Sequence, residues 1–285
     1  MSELMDTPRL ARQRRIASGF SRAAGSYDAA AGLQREVADT LLARLPADCR
    51  PAAVLDIGCG TGYVTAALAR RYASTTLGLD LASGMLATAR ASHPEPAIRW
   101  LAGAAERLPL AAGSVDLVAS SLALQWCDSL AAALDEARRV LRPGGYLAFT
   151  TLCDGSLREW QGAWEAVDDG AHVNRFLTEE TLAATLARPG WHWCRHEVTT
   201  RRCWYPDLAA ARQALKAIGA NTVVAADTPS AVHTRSSAHT RTSAPTGGGL
   251  AGRERLARLE AAFEEYRRPA GIPISYRVAT VVMQR

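Results

Sequence analysis

Residues 54–62 read Val-Leu-Asp-Ile-Gly-Cys-Gly-Thr-Gly, and an alanine-rich stretch follows them. An apolar run leads into an acidic residue and then into three glycines at alternate positions. This order predicts a strand, a tight turn and a helix, the arrangement with which parallel α/β folds bind nucleotides. Glycines let the backbone approach a ligand closely because they carry no Cβ.

A second acidic residue supports a nucleoside ligand. Gly78-Leu79-Asp80 ends the next predicted strand, and Asp80 lies 22 residues after Gly58. This is the spacing expected of a carboxylate that accepts hydrogen bonds from both ribose hydroxyls.

Strands and helices alternate along the middle of the chain. Strands are predicted over residues 52–57, 75–80, 97–101, 114–119 and 146–151, and helices over 61–72, 83–91 and 129–141. The sequence Leu141-Arg142-Pro143-Gly144-Gly145 is expected to end the last of these helices in a turn. The alternation predicts a parallel sheet with helices on both faces.

The two ends of the chain add helices and two strands to this plan. Helices are predicted at 8–22 and 31–45, separated by a break at 25–28, and residues 152–190 are expected to be mostly helical. Strand 191–205, helices 207–219 and 252–267 and strand 274–283 complete the prediction. Residues 227–249 hold almost no large apolar side chains and are predicted to form a flexible surface loop.

Composition narrows the class of protein. The chain carries a net charge of +5 at pH 7, which favours an acidic partner such as nucleic acid, an acidic carrier protein or an anionic substrate. No RNA-binding or base-methylation motif is found, so nucleic acid is not expected. The six cysteines form no CxxC pair, so neither a metal site nor a disulfide framework is expected. Without a membrane-length apolar run or a secretory signal, a cytoplasmic protein without a membrane partner is expected.

The stretch 54–62 resembles the S-adenosylmethionine site of class I methyltransferases, in the form (V/L)-L-D-x-G-C-G-T-G. The resemblance implies a Rossmann-like, seven-stranded, mostly parallel sheet with helices on both faces and a helical substrate lid. It also implies S-adenosylmethionine as the methyl donor and S-adenosylhomocysteine as the product. One domain, 1–285, is expected, with lid helices in 1–50, the cofactor-binding half in 51–151 and the substrate lid with the final strands in 152–285.

The same resemblance assigns the cofactor residues. The glycine loop is expected at the methionine end, Asp80 on the ribose, and Leu81 and Met85 beside the adenine. The stretch 103–110 matches the family element G-D-A-E-x-L-P, with Ala104 where an acid usually contacts the adenine amine. The full predicted set is Asp56, Gly58, Cys59, Gly60, Gly62, Asp80, Leu81, Met85, Ala104, Ala105, Glu106, Ser120 and Leu122. Within it, Asp56 is also expected to orient the loop, and Cys59 to pack rather than react.

A narrower resemblance rests on five further stretches: 20–28, 124–127, 149–157, 172–177 and 215–220. Among them, Leu-Gln-Trp-Cys at 124–127 and His-Val-Asn-Arg-Phe-Leu at 172–177 are the most specific. Together they are similar to the malonyl-[acyl-carrier protein] O-methyltransferases of biotin synthesis. This resemblance implies methylation of the free carboxylate of a malonyl thioester, carried by acyl carrier protein or by coenzyme A.

The resemblance also suggests substrate-side residues. Arg175 is the first candidate for the malonyl carboxylate or the thioester end, with a plain surface arginine as the alternative. His172 and Asn174 are expected to orient the substrate or close the lid, or else to cap and pack. Tyr27 is expected to reach over the cofactor or substrate, and Trp126 to form an apolar wall, with core packing as the alternative for both. A landing surface for an acidic carrier is expected on Arg9, Arg12, Arg14, Arg15, Arg22 and Lys216.

Two other functions fit the cofactor half equally well. One is methylation of a different small molecule, such as a quinone precursor or a small carboxylic acid. The other is a cofactor-binding scaffold without activity, for which Ala104 is the only supporting departure.

Overall fold

The structure, a computed structural model, describes residues 7–219 and 250–285. The predicted loop 227–249 lies outside the described residues. The strands are β1 (Ala53–Ile57), β2 (Thr75–Asp80), β3 (Ile98–Ala102), β4 (Val115–Ser121), β5 (Leu141–Leu152), β6 (Trp193–Tyr205) and β7 (Ile272–Gln284). The helices are α1 (Thr7–Ala30), α2 (Gly32–Ala43), α3 (Tyr63–Tyr72), α4 (Ser83–Ser92), α5 (Leu130–Val140), α6 (Arg158–Glu165), α7 (Glu179–Leu186), α8 (Leu208–Ala217) and α9 (Leu250–Glu264), with a short 3-10 helix at Leu124–Trp126.

All seven strands form one sheet in the order β3-β2-β1-β4-β5-β7-β6. The first five strands are parallel, and β7 runs antiparallel to both β5 and β6. The predicted seven-stranded, mostly parallel sheet and its antiparallel end are therefore confirmed. The chain moves outward in one direction from β1 and in the other from β4, so the point where the order reverses lies between these two strands. Ligands of open α/β sheets bind at the carboxyl ends of the strands beside such a point.

Neighbouring residues of the central strands pack into different cores. Leu55 and Val118 join a cluster with α5 and α7, while Val54 and Leu117 join a cluster with α2 and α3. All four side chains are fully buried. Helices therefore cover both faces of the sheet, as the alternation in sequence predicted.

The predicted break at 25–28 is wrong, because α1 continues from Thr7 to Ala30. An added Cβ at Gly25 would meet nothing within 4 Å, so this glycine serves no turn or close approach. Ser26 is satisfied inside a helix, since its hydroxyl donates to the carbonyls of Ala23 and Ala217, each at 3.1 Å. The second of these bonds ties α1 to the last residue of α8.

Two other predicted boundaries change. Residues 152–190 are less helical than expected, because 166–178 between α6 and α7 is irregular. Strand β5 begins at Leu141, so the predicted Pro-Gly turn is absorbed into an irregular strand start. Among the described residues, no helix combines the length and the hydropathy that a membrane crossing requires.

Helix α1 lies close to α4 at Gly84. The amide of Gly84 donates to the Ser21 hydroxyl at 3.2 Å, and an added Cβ would lie 2.7 Å from the Ser21 carbonyl oxygen. The absence of a side chain at Gly84 is thus what lets α1 rest on the cofactor-binding half.

We expect Gly25→Ala to stabilise the protein by about 0.5–1 kcal/mol, because alanine restricts the unfolded chain and fits an open helical position. Gly84→Ala gains the same helix propensity but collides with the backbone of α1, so it is expected to destabilise. Denaturant unfolding of the two variants measures both effects. A loss of stability in Gly25→Ala would contradict an uninterrupted α1.

Candidate active site

Two adjoining cavities open at the carboxyl edge of the sheet. The inner cavity lies against the glycine loop, β2, α4 and residues 103–106. The outer cavity lies between α1, α2, α6, residues 172–176 and α8. Both are lined by Phe20, Tyr27, Leu122 and Trp126, which we call the junction residues. The arrangement can hold two ligands with their reacting ends meeting at the junction.

The glycine loop is joined to β2 by hydrogen bonds that its backbone amides donate. The amides of Gly58 and Cys59 donate to the Leu79 carbonyl at 2.7 and 3.0 Å, and the Gly60 amide donates to the Asp80 carboxylate at 2.9 Å. Gly58 and Gly60 have φ of +70° and +54°. An added Cβ at Gly60 would meet no protein atom within 4 Å, so its bare backbone faces open space in the inner cavity.

Asp80 stands at the centre of this wall. Besides Gly60, its carboxylate accepts a hydrogen bond from the Ala82 amide at 2.8 Å. Burial raises the pKa of Asp80, while the backbone hydrogen bonds oppose that rise. The carboxylate is therefore fixed in place at the cavity wall, where a ligand with hydroxyl donors would meet it.

Most of the predicted cofactor residues come together around the inner cavity. Met85 is fully buried in its wall, whereas Leu81 stays 38% exposed. The lining contains Gly58, Gly60, Asp80, Leu81, Met85, Ala104, Ala105, Glu106 and Leu122.

Four predicted cofactor residues do not line the inner cavity. An added Cβ at Gly62 would collide with the rings of Trp100 and His93, so this glycine serves packing. The Ser120 hydroxyl is fully buried and donates to the Ile57 carbonyl at 2.8 Å, which joins β4 to β1. The other two, Asp56 and Cys59, border a small cavity beside the glycine loop.

Asp56 works inside the protein as an anchor. Its carboxylate accepts a hydrogen bond from the Thr65 hydroxyl at 2.6 Å and so ties β1 to α3. Burial raises the pKa of Asp56 to about 7, against the lowering effect of Thr65. Burial likewise raises the pKa of the Cys59 thiol, which favours its protonated, less reactive form.

Glu106 is a structural carboxylate with one edge on the cavity. It accepts hydrogen bonds from the amides of Asp128 and Ser129 at 2.9 and 3.1 Å, and it pairs with Arg9 at 3.2 Å. Its side chain is only 3% exposed. These bonds fix the start of α5 beside the junction.

Two arginines of helix α1 hold the helix over the inner cavity. Arg9 pairs with Asp128 at 3.0 Å, and Arg12 pairs with Asp128 at 2.6 Å while donating to the Trp126 carbonyl at 2.9 Å. Both arginines were expected to face a carrier protein; in the structure both pair with acidic side chains, and the Arg9 side chain stays 43% exposed. Of the others predicted there, Arg14, Arg15, Arg22 and Lys216 are exposed.

The outer cavity is walled by aromatic side chains. His172 stacks on Trp164 with ring centroids 3.8 Å apart, and its Nε2 lies 2.7 Å from an Asp168 oxygen. Arg255 of α9 pairs with the second Asp168 oxygen at 2.5 Å and lies over the Trp164 ring. His172 is therefore held as part of a wall, consistent with the predicted lid or packing role.

The structure separates the substrate candidates. His172 and Asn174 line the outer cavity, and Tyr27 and Trp126 are junction residues. Arg175 lines neither cavity, because its exposed side chain borders an adjoining groove on the other side of residues 172–176. The expectation that Arg175 meets the malonyl carboxylate thus finds no support in this placement.

Sequence reasoning missed several lining residues that no motif marks. Gln34 lines the outer cavity, as does Arg212 on α8, whereas Gln125, which also lines it, belongs to the motif 124–127. Arg35 borders the small cavity beside the glycine loop, where the Thr61 hydroxyl donates to Asp28 at 2.7 Å. Those outside the motif lie on helices or turns whose local sequence gives no sign of the ligand.

Comparison with known proteins gives one family model and many relatives. Residues 55–149 match the model described as "Methyltransferase domain". The protein "Malonyl-[acyl-carrier protein] O-methyltransferase" of Serratia marcescens is 40% identical over 272 residues, which cover 95% of each chain. The "Biotin biosynthesis bifunctional protein BioHC" of Cellvibrio japonicus is also 40% identical over 95% of this chain, but the chain spans only 50% of its length.

The fold also matches solved structures. The YcgJ protein of Bacillus subtilis superposes with a TM-score of 0.56, covering 88% of this chain and 98% of that one. At 18% sequence identity this likeness shows the fold alone.

The inner cavity fits S-adenosylmethionine. The uncovered backbone at Gly60 leaves room for close approach, Asp80 offers a fixed acceptor for ribose hydroxyls, and Met85 and Leu81 give an apolar wall for the base. Ala104 supplies no acid to the adenine, as noted from the sequence. Among the described residues, no cluster of three or more His, Cys, Asp or Glu is arranged to hold a metal ion.

We expect Arg12→Gln to weaken S-adenosylmethionine binding about five-fold. The variant loses the bonds of Arg12 to Asp128 and to the Trp126 carbonyl, which stabilise α1 over the inner cavity by about 1 kcal/mol. Calorimetric titration measures this dissociation constant. Arg15→Gln is the matched control, since Arg15 is exposed on the same helix and lines neither cavity. Equal affinities of the two variants would show that the Arg12 contacts do not hold α1 over the inner cavity.

Asp56 should make the protein less stable as pH rises from about 4 to 7. In this window the folded state holds a proton that the unfolded chain has lost, so unfolding becomes easier by up to about 1.4 kcal/mol per pH unit. Asp56→Asn removes this slope and keeps an acceptor for Thr65, so its advantage over the parent protein should grow from pH 4 to pH 7. Denaturant unfolding at several pH values measures the difference.

Asp116→Asn is the control, because its effect on stability should depend on pH in the opposite direction. Burial works to raise the pKa of Asp116, but hydrogen bonds from Arg142 and from two backbone amides outweigh it, and the pKa is lowered. Replacing Asp116 should therefore lower the free energy of unfolding at neutral pH, and this loss should be smaller at acidic pH. Parallel pH profiles for the two variants would contradict the assigned role of Asp56.

Proposed function

The chain belongs to the family of malonyl-[acyl-carrier protein] O-methyltransferases, and we infer from this that it methylates the free carboxylate of a malonyl thioester in biotin synthesis. One observation carries the conclusion, namely 40% identity with such a protein over 95% of both chains. When bound, S-adenosylmethionine supplies a methyl group on a positively charged sulfur. The carboxylate oxygen takes that methyl as the carbon–sulfur bond breaks, and S-adenosylhomocysteine remains.

The reaction requires no general base from the protein. A carboxyl group with a reference pKa of about 4 is already ionised at neutral pH. The Nε2 of His172, the histidine of the outer cavity, is engaged by Asp168. We therefore propose that His172 and Asn174 shape the outer cavity rather than move a proton.

Catalysis then rests on the junction residues. The reaction joins a negative oxygen to a positively charged methyl donor, so charge is neutralised as the transition state forms. An apolar wall destabilises the separated charges more than the neutralised transition state. We propose that Phe20, Leu122 and Trp126 exclude water at this point and hold the two ends in line.

Tyr27 brings the only hydroxyl among the junction residues. Burial, with added repulsion from Asp80 and Asp28, raises the pKa of its phenol and keeps it neutral. We propose that Tyr27 positions the carboxylate as a neutral donor, which orients the nucleophile without the ground-state stabilisation that a full cation would give.

The carrier of the malonyl group is part of the proposal. An acidic acyl carrier protein would meet the exposed Arg14, Arg15 and Arg22 on the outer side of α1, and such docking speeds encounter in a salt-sensitive way. Malonyl-coenzyme A is the alternative donor of the acyl group. A cytoplasmic location, expected from the sequence, also belongs to the proposal.

The test is mass spectrometry of malonyl-acyl carrier protein after incubation with the purified protein and S-adenosylmethionine. We expect one added methyl group, and none on acetyl-acyl carrier protein, which has no free carboxylate. Methylation of the acetyl form would place the methyl elsewhere and overturn carboxyl transfer. Absence of transfer despite measured cofactor binding would favour another small acid or a quinone precursor.

A further inference from the structure

The outer cavity has an unusual charge balance. Its lining contains the cations Arg212 and Lys216, and none of its described lining residues is Asp or Glu. The two cations are four residues apart on α8 and therefore share one face of that helix. This wall attracts an anion.

Neither cation is neutralised within the described part of the chain. No ion pair or hydrogen bond joins Arg212 or Lys216 to another described side chain, whereas Arg9, Arg12 and Arg255 all have carboxylate partners. The acid that begins α8 is already in use, since Asp207 caps the helix by accepting from the Ala210 amide at 2.8 Å. The charge on α8 is thus available to a ligand.

Two glutamines in the lining of the outer cavity have unused hydrogen-bond acceptors, and one of them, Gln34, also borders the small cavity beside the glycine loop. The Oε1 atoms of Gln34 and Gln125 are buried and have no partner among the described residues, while the Gln125 Nε2 donates to the Leu122 carbonyl at 2.7 Å. Buried polar atoms normally find a partner. A ligand with amide N–H groups would supply one for each glutamine.

We propose that the outer cavity holds the phosphopantetheine arm of the substrate, with Arg212 and Lys216 binding its phosphate and Gln34 and Gln125 accepting from its amides. The proposal rests on the proposed function, because a malonyl thioester of acyl carrier protein or of coenzyme A presents this arm. Trp160 and Trp164 give the apolar methylene segments of the arm a wall to pack against.

The cations are assigned to the phosphate rather than to the reacting carboxylate for two reasons. Neither lines the inner cavity, and none of the four junction residues is charged. A cation at the nucleophile would also stabilise the ground state more than the transition state, since the oxygen loses its charge during transfer. A phosphate keeps its charge throughout, so its binding strengthens substrate and transition state alike.

The experiment compares S-malonyl-phosphopantetheine with S-malonyl-pantetheine, which differ only in the phosphate. In the double variant Arg212→Gln, Lys216→Gln, we expect KM for the phosphorylated substrate to rise about tenfold, with kcat unchanged. Its KM for the substrate without phosphate should stay that of the parent protein. Arg195→Gln with Arg202→Gln is the charge-matched control, because both arginines are exposed on β6 and line neither cavity.

Three outcomes would overturn the proposal. An equal rise for both substrates would place the cations on the malonyl part, a fall in kcat would place them at the reacting carboxylate, and no change would remove them from the site. If the parent protein methylates neither substrate nor the carrier-bound form, it is the proposed function that fails. The phosphate site can then still be tested by calorimetric titration with free phosphopantetheine and free pantetheine. If the parent protein binds phosphopantetheine more tightly and the double variant loses that difference, the phosphate site is supported.

Discussion

Three hydrogen bonds from backbone amides of the glycine loop to the end of β2 determine the site, two to a backbone carbonyl and one to the Asp80 carboxylate. Gly58 and Cys59 donate to Leu79, and Gly60 donates to Asp80, so the loop cannot open without losing the wall of the inner cavity. These bonds require the left-handed backbone that glycine adopts at little cost. They also fix the carboxylate of Asp80, which means that one local contact positions both the bare backbone and the acid. The parallel pairing of β1 with β2 brings the two segments together.

Helix α1 completes what the sheet begins. It brings Phe20 and Tyr27 to the junction, it is seated on α4 at Gly84, and its arginines hold the segment that carries Trp126. Since α1 also contacts the end of α8 through Ser26, the helix touches the walls of both cavities. Helix α1 is therefore part of the structure that bounds both cavities.

Local sequence predicted the parts of the site that local chemistry dictates. The strands, the glycine turn and Asp80 follow from periodicity, from backbone freedom and from a fixed spacing. The carboxylates were harder, because the sequence shows a charge but not its partner. Glu106 lines the inner cavity as expected, but it also accepts from two amides more than 20 residues away, and Arg12, expected to face a carrier, pairs with Asp128, 116 residues away. The break in α1 was wrong for a related reason, because an exposed glycine in a helix gives the same signal as a glycine in a turn.

The charged residues that line the two cavities lie outside the junction. Asp80 and Glu106 line the inner cavity, Arg212 and Lys216 on α8 line the outer cavity, and none of the four junction residues is charged. A reaction that neutralises charge gains from such an arrangement, because fixed charges near the reacting atoms would hold the reactants more strongly than the transition state. Binding energy is better drawn from the parts of the substrate whose charge is constant. Arg175 lies outside both cavities, whereas Arg212 and Lys216 line the outer one. Our proposal therefore assigns substrate binding to the α8 cations by their position, since all three side chains carry the same charge.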